Sequence, residues 1–378
     1  MTAAILLAAG ESRRFAESCP DAFPWKSKLL VPLPDGRPVW RRSFDLLARS
    51  PTVRHIVVVT DEEAIRTEAE SIGATVVLGG ETRALSSLNG IEAAVGARTV
   101  VVHDAARPFA TSSLLQRVLD ATAEAVAAVP VIAATDTIKR CSSDEVKETL
   151  ERSSLYHAQT PQAANRDALL AAMRAHPDAT DEASALERSG ESVRAVEGEA
   201  TNRKITTFHD LEGLLRVENR TGLGYDVHRL VQGRPLVLGG VVVPFDRGLE
   251  GHSDADVVLH AATDALLGAA SLGDIGAHFP NTDPACKDAS SDRFLRHALD
   301  LVRAEGFQVA NLDVTLLAEA PKIGPFVGAM RDSMASILEV ESSRISVKAT
   351  THEGLGALGR GEGIAAFAIA TLERWLPR

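Results

Sequence analysis

Asp226, His228 and His260 are the side chains whose types and spacing carry the most chemistry in this sequence of 378 residues. Asp226 and His228 stand two apart, so on a strand both leave the same face. His260 lies in DADVVLHAATDALLGAA, whose pattern is helical. One carboxylate and two imidazoles make three zinc-type donors, the number a catalytic zinc takes when its fourth position stays open. Along the same helix Asp256, His260 and Asp264 recur every four residues, which places carboxylates on the histidine's face, where they could orient it. Read one residue at a time, Asp-Val-His is also an ordinary strand end and His260 an ordinary core histidine, so the neighbouring motifs must decide.

A second group of residues opens the chain. An apolar run ends at Ala8-Ala9-Gly10 and is followed by Glu11, Ser12, Arg13 and Arg14. Small residues after a strand let backbone N–H groups face a phosphate or a base, and the arginines add charge. Neither the dinucleotide pattern G-x-G-x-x-G nor the G-K-[ST] of a phosphate-binding P-loop is present. Two more loops of this kind, Gly79–Arg83 and His103–Arg107, follow apolar runs.

The elements that must hold these loops alternate. Strands are expected over 1–10, 55–60, 74–80, 99–109 and 127–140. Helices are expected over 38–50, 62–73 and 86–95, between those strands. This alternation predicts a mostly parallel sheet with helices on both faces, and ligands in such sheets bind beyond the carboxyl ends of the strands. All three loops fall there. Residues 141–156 are polar and read either as a disordered excursion or as an arm reaching a partner subunit. LEGLLRVENRT (211–221) reads as the last helix of a first domain spanning 1–219, and a second domain spans 220–378. The second domain reads as a strand at 221–227, a hairpin over 234–245 and a long helix over 253–270 with Ser253 as its cap. It continues with a helix near 290–305, a strand at 311–319, a helix from 324, a strand at 345–351 and a closing helix, IAAFAIATLERWL.

Bulk properties bound the function. Hydrophobic residues make up 45% of the chain and the net charge is −11. A bulk nucleic-acid binder would be basic. Cys19, Cys141 and Cys286 are odd in number and far apart, which argues against a disulfide framework and fits a cytoplasmic location. No apolar run reaches the roughly 18 residues of a membrane-spanning helix. These properties argue against nucleic acid and membrane as partners, and they leave room for a small phosphorylated ligand held by local Arg and Lys.

At this point the motifs take on a family likeness. AAGESRRF, GGETRALSS, HDAARPF, DTIK, TPQ, TDEASALE and NRKIT resemble 2-C-methylerythritol 4-phosphate cytidylyltransferases. GYDVH, GHSDADVVLHAATDALLGAASLGDIG, APK, VKATT and GRGEGIA resemble 2-C-methylerythritol 2,4-cyclodiphosphate synthases. The resemblance implies a Rossmann-like nucleotidyltransferase domain followed by a trimer-forming α/β domain. It implies transfer of CMP from CTP to methylerythritol phosphate, with Mg2+. Arg14 and Lys28 would stabilise the triphosphate, with Lys26 as the alternative to Lys28. Ala8, Ala9, Gly10, Arg83 and Ser86 would hold the nucleotide. Asp104, Ala105, Arg107, Thr137, Arg152, Thr160 and Lys204 would hold methylerythritol phosphate, Thr137 and Arg152 through a partner's arm.

For the second domain the resemblance implies ring closure of a diphosphocytidyl substrate with release of CMP. Asp226, His228 and His260 would bind Zn2+ or another divalent metal, and Glu353 would bind Mg2+. His252, Ser253, Asp274 and Gly276 would contact substrate. Ala320, Pro321, Lys322, Thr350, Thr351 and Arg360 would form the cytidine side, across a subunit boundary. Dimer contacts in the first domain and a trimer in the second would together suggest a hexamer. The two activities are not consecutive, so a separate ATP-dependent kinase must supply the intervening step. Ser12, Leu29 and Asn281 stand where the family pattern has Gly, Gln and Asp. The alternatives are a different sugar-phosphate nucleotidyltransferase fused to a zinc phosphoryl-transfer domain, or a fusion in which one domain only scaffolds.

Overall fold

The computed structural model describes residues 1–20, 23–279 and 290–378. The chain forms two compact units, Met1–Arg216 with Pro377–Arg378, and Val217–Leu376. No helix among the described residues is long and apolar enough to cross a membrane.

The first unit runs β1 (Thr2–Leu7), α1 (Arg13–Ser18), α2 (Val39–Ala48), β2 (Val53–Val59), α3 (Glu63–Ser71), β3 (Thr75–Val77), α4 (Arg83–Ala93) and β4 (Thr99–Asp104). It continues through α5 (Ser112–Ala121), β5 (Ala127–Ala133), β6 (Lys139–Ser142), β7 (Glu145–Thr149), β8 (Tyr156–Ala158), β9 (Gln162–Asn165), α6 (Arg166–Ala175), α7 (Glu182–Arg188) and β10 (Val193–Glu197). The main sheet has the order β10-β5-β9-β4-β1-β2-β3, with β8 beside β5. The β1–β2, β1–β4, β2–β3 and β5–β10 pairs are parallel, and β9 is inserted antiparallel to β4 and β5. β1 is buried at every residue, as a central parallel strand covered on both faces must be. Ile5, Val57 and Val102 pack there with Ile91 of α4 and Leu169 of α6.

Two expectations change in this unit. Residues 139–149 are not disordered: β6 and β7 pair as an antiparallel hairpin, exposed at every residue. The expected helix over 211–221 is a single 3-10 turn at Glu212–Leu214, after which the chain extends as β11 (Leu215–Gln232). The leucine spacing imitates a helical face, but Leu211 and Leu215 are buried from a turn and a strand start instead.

The second unit adds β12 (Leu236–Leu238), β13 (Val241–Val243), β14 (Arg247–Leu249), α8 (Val257–Ala270), α9 (Ile275–His278), α10 (Asp292–Ala304), β15 (Gln308–Leu317), α11 (Val327–Leu338), β16 (Ile345–Thr350), α12 (Gly356–Gly359) and β17 (Gly363–Pro377). Its sheet has the order β14-β11-β17-β15-β16. β12 and β13 form the expected hairpin. The expected closing helix is β17, antiparallel to β15. Alanines 366, 368 and 370 of β17 face the core while Phe367 and Ile369 face out. That period of two defines a strand, and burial against β15 overrides alanine's preference for helix.

α8 lies against β11 at backbone distance. A Cβ on Gly222 would come within 2.2 Å of the Ala265 carbonyl oxygen, and one on Gly224 within 1.9 Å of that of Ala261. The helix is capped by Asp256, not Ser253. The Asp256 carboxylate accepts from the Val258 and Leu259 amides and also from those of Gly239 and Gly240, at 2.6 to 3.2 Å.

Candidate active sites

In the first unit the strand ends open onto a cleft of about 480 Å³. Ala9, Gly10, Arg14, Lys28, Arg83, Asp104 and Lys204 line it, so the three loops beyond the sheet edge do converge. Gly79 and Gly80 allow the turn after β3 to pack closely: a Cβ on Gly79 would meet Ala9 and Asp61, each at 2.6 Å. The Gly80 amide donates to Ser86 Oγ at 3.0 Å. Ser12 opens α1 in the left-handed conformation, with φ of 49°. That conformation explains why glycine suits this position, and serine holds it at a cost of about 1 kcal/mol.

Asp104, buried at the end of β4, is the hub of the cleft. Lys204 Nζ donates to its Oδ2 at 2.7 Å, and Arg83 Nη2 donates to its Oδ1 at 3.2 Å. Arg107 Nε lies 3.8 Å from the same carboxylate. Burial pushes the Asp104 carboxyl up, but Arg83 and Lys204 overrule it and hold the group far below the usual carboxylate range. Arg83 is held in turn by Glu182, whose two oxygens accept from its guanidinium at 3.0 Å each. Burial lowers the Lys28 ammonium, with help from the Lys204 charge, to about 8. Lys26 is exposed and outside the cleft lining. Leu29, where the family pattern has Gln, is buried and lines the cleft beside Lys28.

Other sequence-derived residues have structural partners. The Ala8 amide is spent on Val59 of β2, and Ala105 accepts from Ser43 Oγ at 2.8 Å. Thr160 Oγ1 accepts from the Asp104 amide and meets His103 Nδ1, each at 3.0 Å. Burial lowers the imidazole of His103 to about 4. Arg107 donates to the Asn202 carbonyl at 2.8 Å. Thr137 and Arg152 stand exposed near the hairpin and do not line this cleft. Glu182 was not singled out from the sequence: it follows Asp181 in TDEASALE, where nothing marks it as the buried carboxylate.

In the second unit Asp226 and His228 leave β11 on one face and meet His260 of α8. Asp226 Oδ2 lies 3.0 Å from His228 Nε2 and 2.9 Å from His260 Nδ1. One ligand atom from each residue falls within 4.8 Å of the others. The far nitrogen of His228 donates to the Glu250 carbonyl at 2.7 Å. That of His260 meets Ser291 Oγ at 2.9 Å and Ser253 Oγ at 3.3 Å. Both rings therefore have hydrogen-bond partners on their outer sides and turn their inner nitrogens to one carboxylate oxygen. Such a convergence of lone pairs suits a divalent cation. Burial raises the Asp226 carboxyl, yet the hydrogen bonds from both histidines leave it below the usual range, and the same contact raises the His228 imidazole.

Asp264 does not orient His260 by hydrogen bonding. Its Oδ1 accepts from the Ile275 amide at 2.7 Å, where it fixes the start of α9. Asp256 is spent on backbone amides. Asp274 caps α9, and Gly276 lies within that helix. His252 is exposed. Ala320, Pro321 and Lys322 follow β15, while Thr350, Thr351 and Glu353 end or follow its parallel neighbour β16. The Glu319 carboxylate gathers the second loop by accepting from the His352 amide at 2.7 Å, and Thr351 Oγ1 donates to Glu353 at 3.0 Å. Arg360 pairs with Glu362 at 2.7 Å. Glu353 is not part of the Asp226 cluster. Asn281 lies outside the described residues. Ser291 was missed, because a serine 31 positions from its histidine carries no sequence signal.

The parallel-sheet cleft lined by cations and the carboxylate–histidine cluster define a two-unit α/β enzyme of phosphoryl chemistry. Residues 2–214 match the family model for 2-C-methyl-D-erythritol 4-phosphate cytidylyltransferase, and residues 219–373 match the YgbB family. The bifunctional enzyme IspD/IspF of Novosphingobium aromaticivorans is 45% identical over 381 residues, covering 98% of this chain and 96% of that one. Its counterpart in Rhodospirillum rubrum is 42% identical, with 98% of each covered. The solved bifunctional IspDF of Campylobacter jejuni matches with a TM-score of 0.54 at 34% identity, over 99% of this chain and 98% of that one. The chain belongs to the bifunctional IspD/IspF family. It is an enzyme with two activities in the non-mevalonate isoprenoid route, a cytidylyltransferase and a cyclodiphosphate synthase.

Proposed function

We propose that residues 1–219 carry the cytidylyltransferase and residues 220–378 the synthase, each with its own site. In the first, a phosphate oxygen of methylerythritol phosphate attacks the α-phosphorus of CTP, and the bond to pyrophosphate breaks. Arg14 and Lys28 meet the triphosphate and the charge that develops on it. Ala9, Gly10 and the Ser86 turn seat the nucleotide, with Ala8 behind them. Asp104, Arg107 and Lys204 bind the acceptor near Thr160 and Ala105. Arg83, fixed by Glu182, keeps Asp104 ionised. A bound Mg2+ supplies further charge neutralisation on the phosphates. The presence of Lys28 in the cleft and the exposure of Lys26 outside it support Lys28 as the functional lysine.

In the second, the substrate's 2-phosphate attacks the β-phosphorus of its cytidine diphosphate group, closes a ring and expels CMP. Asp226, His228 and His260 hold Zn2+ or a similar cation, which polarises a phosphate oxygen when bound. Glu353 offers the hard carboxylate suited to Mg2+. His252, Ser253, Asp274 and Gly276 face the phosphates. The loops carrying Ala320–Lys322, Thr350, Thr351 and Arg360 take the cytidine. The convergence of three lone-pair donors on Asp226 Oδ2 carries this reading.

Self-association is supported by two features. Leu223, Tyr225, Val227, Phe367 and Ile369 form an exposed apolar face on β11 and β17. Such a face suits a trimer. The exposed β6–β7 hairpin, flanked by Thr137 and Arg152, suits a dimer arm. Together they suggest a hexamer, working in the cytoplasm beside a separate kinase. The test is pyrophosphate release from CTP and methylerythritol phosphate. Lys28→Ala is expected to lower it about 100-fold, and Lys26→Ala less than about threefold. Loss confined to Lys26→Ala would reverse the lysine assignment, and an inactive wild type would remove the substrate reading.

A further inference from the structure

His260 is the ligand whose orientation depends on the most distant part of the chain. Its Nε2 lies 2.9 Å from Oγ of Ser291, a fully buried residue at the start of α10. Ser291 occupies the N-cap position, but its hydroxyl makes no cap hydrogen bond. It is turned instead between His260 and Asp254. Asp254 Oδ1 accepts a short hydrogen bond from Ser291 Oγ, and Asp254 Oδ2 accepts from the Ser291 amide at 3.1 Å. The Asp256 amide donates to Asp254 Oδ1 at 3.2 Å, which fixes the carboxylate on the loop before α8.

A serine hydroxyl has one proton. Here that proton goes to the carboxylate, which has none to return. Only lone pairs remain on Ser291 Oγ for His260, so Nε2 must donate. A cation that draws on Nδ1 displaces the hydrogen bond that this nitrogen makes to Asp226 Oδ2 at 2.9 Å and leaves the ring proton on Nε2. Ser253 Oγ cannot replace this contact on equal terms. It is farther away, at 3.3 Å, and already accepts from the Ala255 amide.

We infer that Asp254 and Ser291 are positioning residues that select the Nδ1-ligating tautomer of His260 and aim it at the divalent cation. This rests on the reading that Asp226, His228 and His260 bind such a cation. The structure thereby links the entry to α10 with the metal cluster through one hydroxyl. Removing an orienting partner of this kind typically lowers metal affinity about 10- to 100-fold.

The test titrates zinc alone into full-length protein against a chromophoric chelator, for the wild type, Ser291→Ala and Ser291→Thr. Ser291→Ala is expected to bind at least about 10-fold more weakly, and Ser291→Thr, which keeps the hydroxyl, within about threefold of the wild type. A folded Ser291→Ala protein that binds zinc within twofold of the wild type would overturn the inference. Failure of the wild type to bind zinc would instead remove the metal reading on which it rests. A second measurement does not depend on the variants folding. In the zinc-loaded wild type, nitrogen-15 NMR should place the proton of the His260 ring on Nε2, and a proton on Nδ1 would overturn the inference.

Discussion

The two sites handle similar phosphate groups with opposite electrostatics. The first-unit cleft surrounds one buried carboxylate, Asp104, with Arg83 and Lys204, and sets Lys28 and Arg14 beside them. Positive charge is built into the polypeptide. The second-unit cluster contributes a carboxylate and two imidazoles that point inward. It offers electron pairs, an arrangement that suits a cation in place of built-in positive charge. The same contrast separates two buried aspartates. Asp104, beside cations, stays well below the usual carboxylate range. Asp256 is stabilised by backbone amides alone; burial, reinforced by the charge of Asp254, raises it to about 6. Charged partners outweigh desolvation at the first position, and amide dipoles do not at the second.

The strongest way to break this comparison is to remove an electron-pair donor from the second site. His260→Ala should lower CMP-releasing ring closure by about 1000-fold or more while pyrophosphate release changes less than about twofold, read in parallel assays on one preparation. A matched loss of both activities would mean that the sites are not separate. Next in size is Asp256→Ala, which leaves four backbone amides, three of them buried, without this acceptor and should cost about 3 kcal/mol, seen as a lower denaturation midpoint. An unchanged midpoint would show that those amides find other acceptors.

A smaller effect should appear with pH. The Lys28 ammonium titrates near 8, so it is charged below that pH and neutral above it. Transferase activity should therefore fall on the order of tenfold as pH rises from 7.5 to 9.5, and Lys28→Arg, which stays charged, should flatten that limb. A limb that persists in the arginine variant would assign it to another group. The smallest effect expected is for Ser12→Gly, which relieves the left-handed strain and should raise stability by up to about 1 kcal/mol. A lower stability would mean that the serine side chain holds the loop in another way.

The sheet of the first unit was legible because alternating apolar runs and helical stretches are local signals. So was the Asp226–His228 pair, whose spacing of two fixes its direction. β17 was not legible. Its alanines look helical until the β15 partner is in place, and that partner lies far away in sequence. Lys28 could not be told from Lys26 by spacing, because what distinguishes them is burial: Lys28 lines the cleft and Lys26 is exposed. Ser253 and Asp256 both suit a cap, and only folding brings the Gly239 and Gly240 amides to the second side of the Asp256 carboxylate that caps the helix. Ser291 illustrates the limit most clearly: its role depends on a contact that folding alone creates.

Gly222 and Gly224 give the second site its spacing through atoms that they lack. With no side chains on these two glycines, strand and helix meet backbone to backbone there, and His260 Nδ1 comes within 2.9 Å of Asp226 Oδ2. Metal–ligand bonds are short and vary by only a few tenths of an ångström. A methyl group at Gly224 would act as a spacer several times thicker than the whole tolerance of the coordination sphere. The geometry of the cluster is thus gauged by two residues that are not part of it.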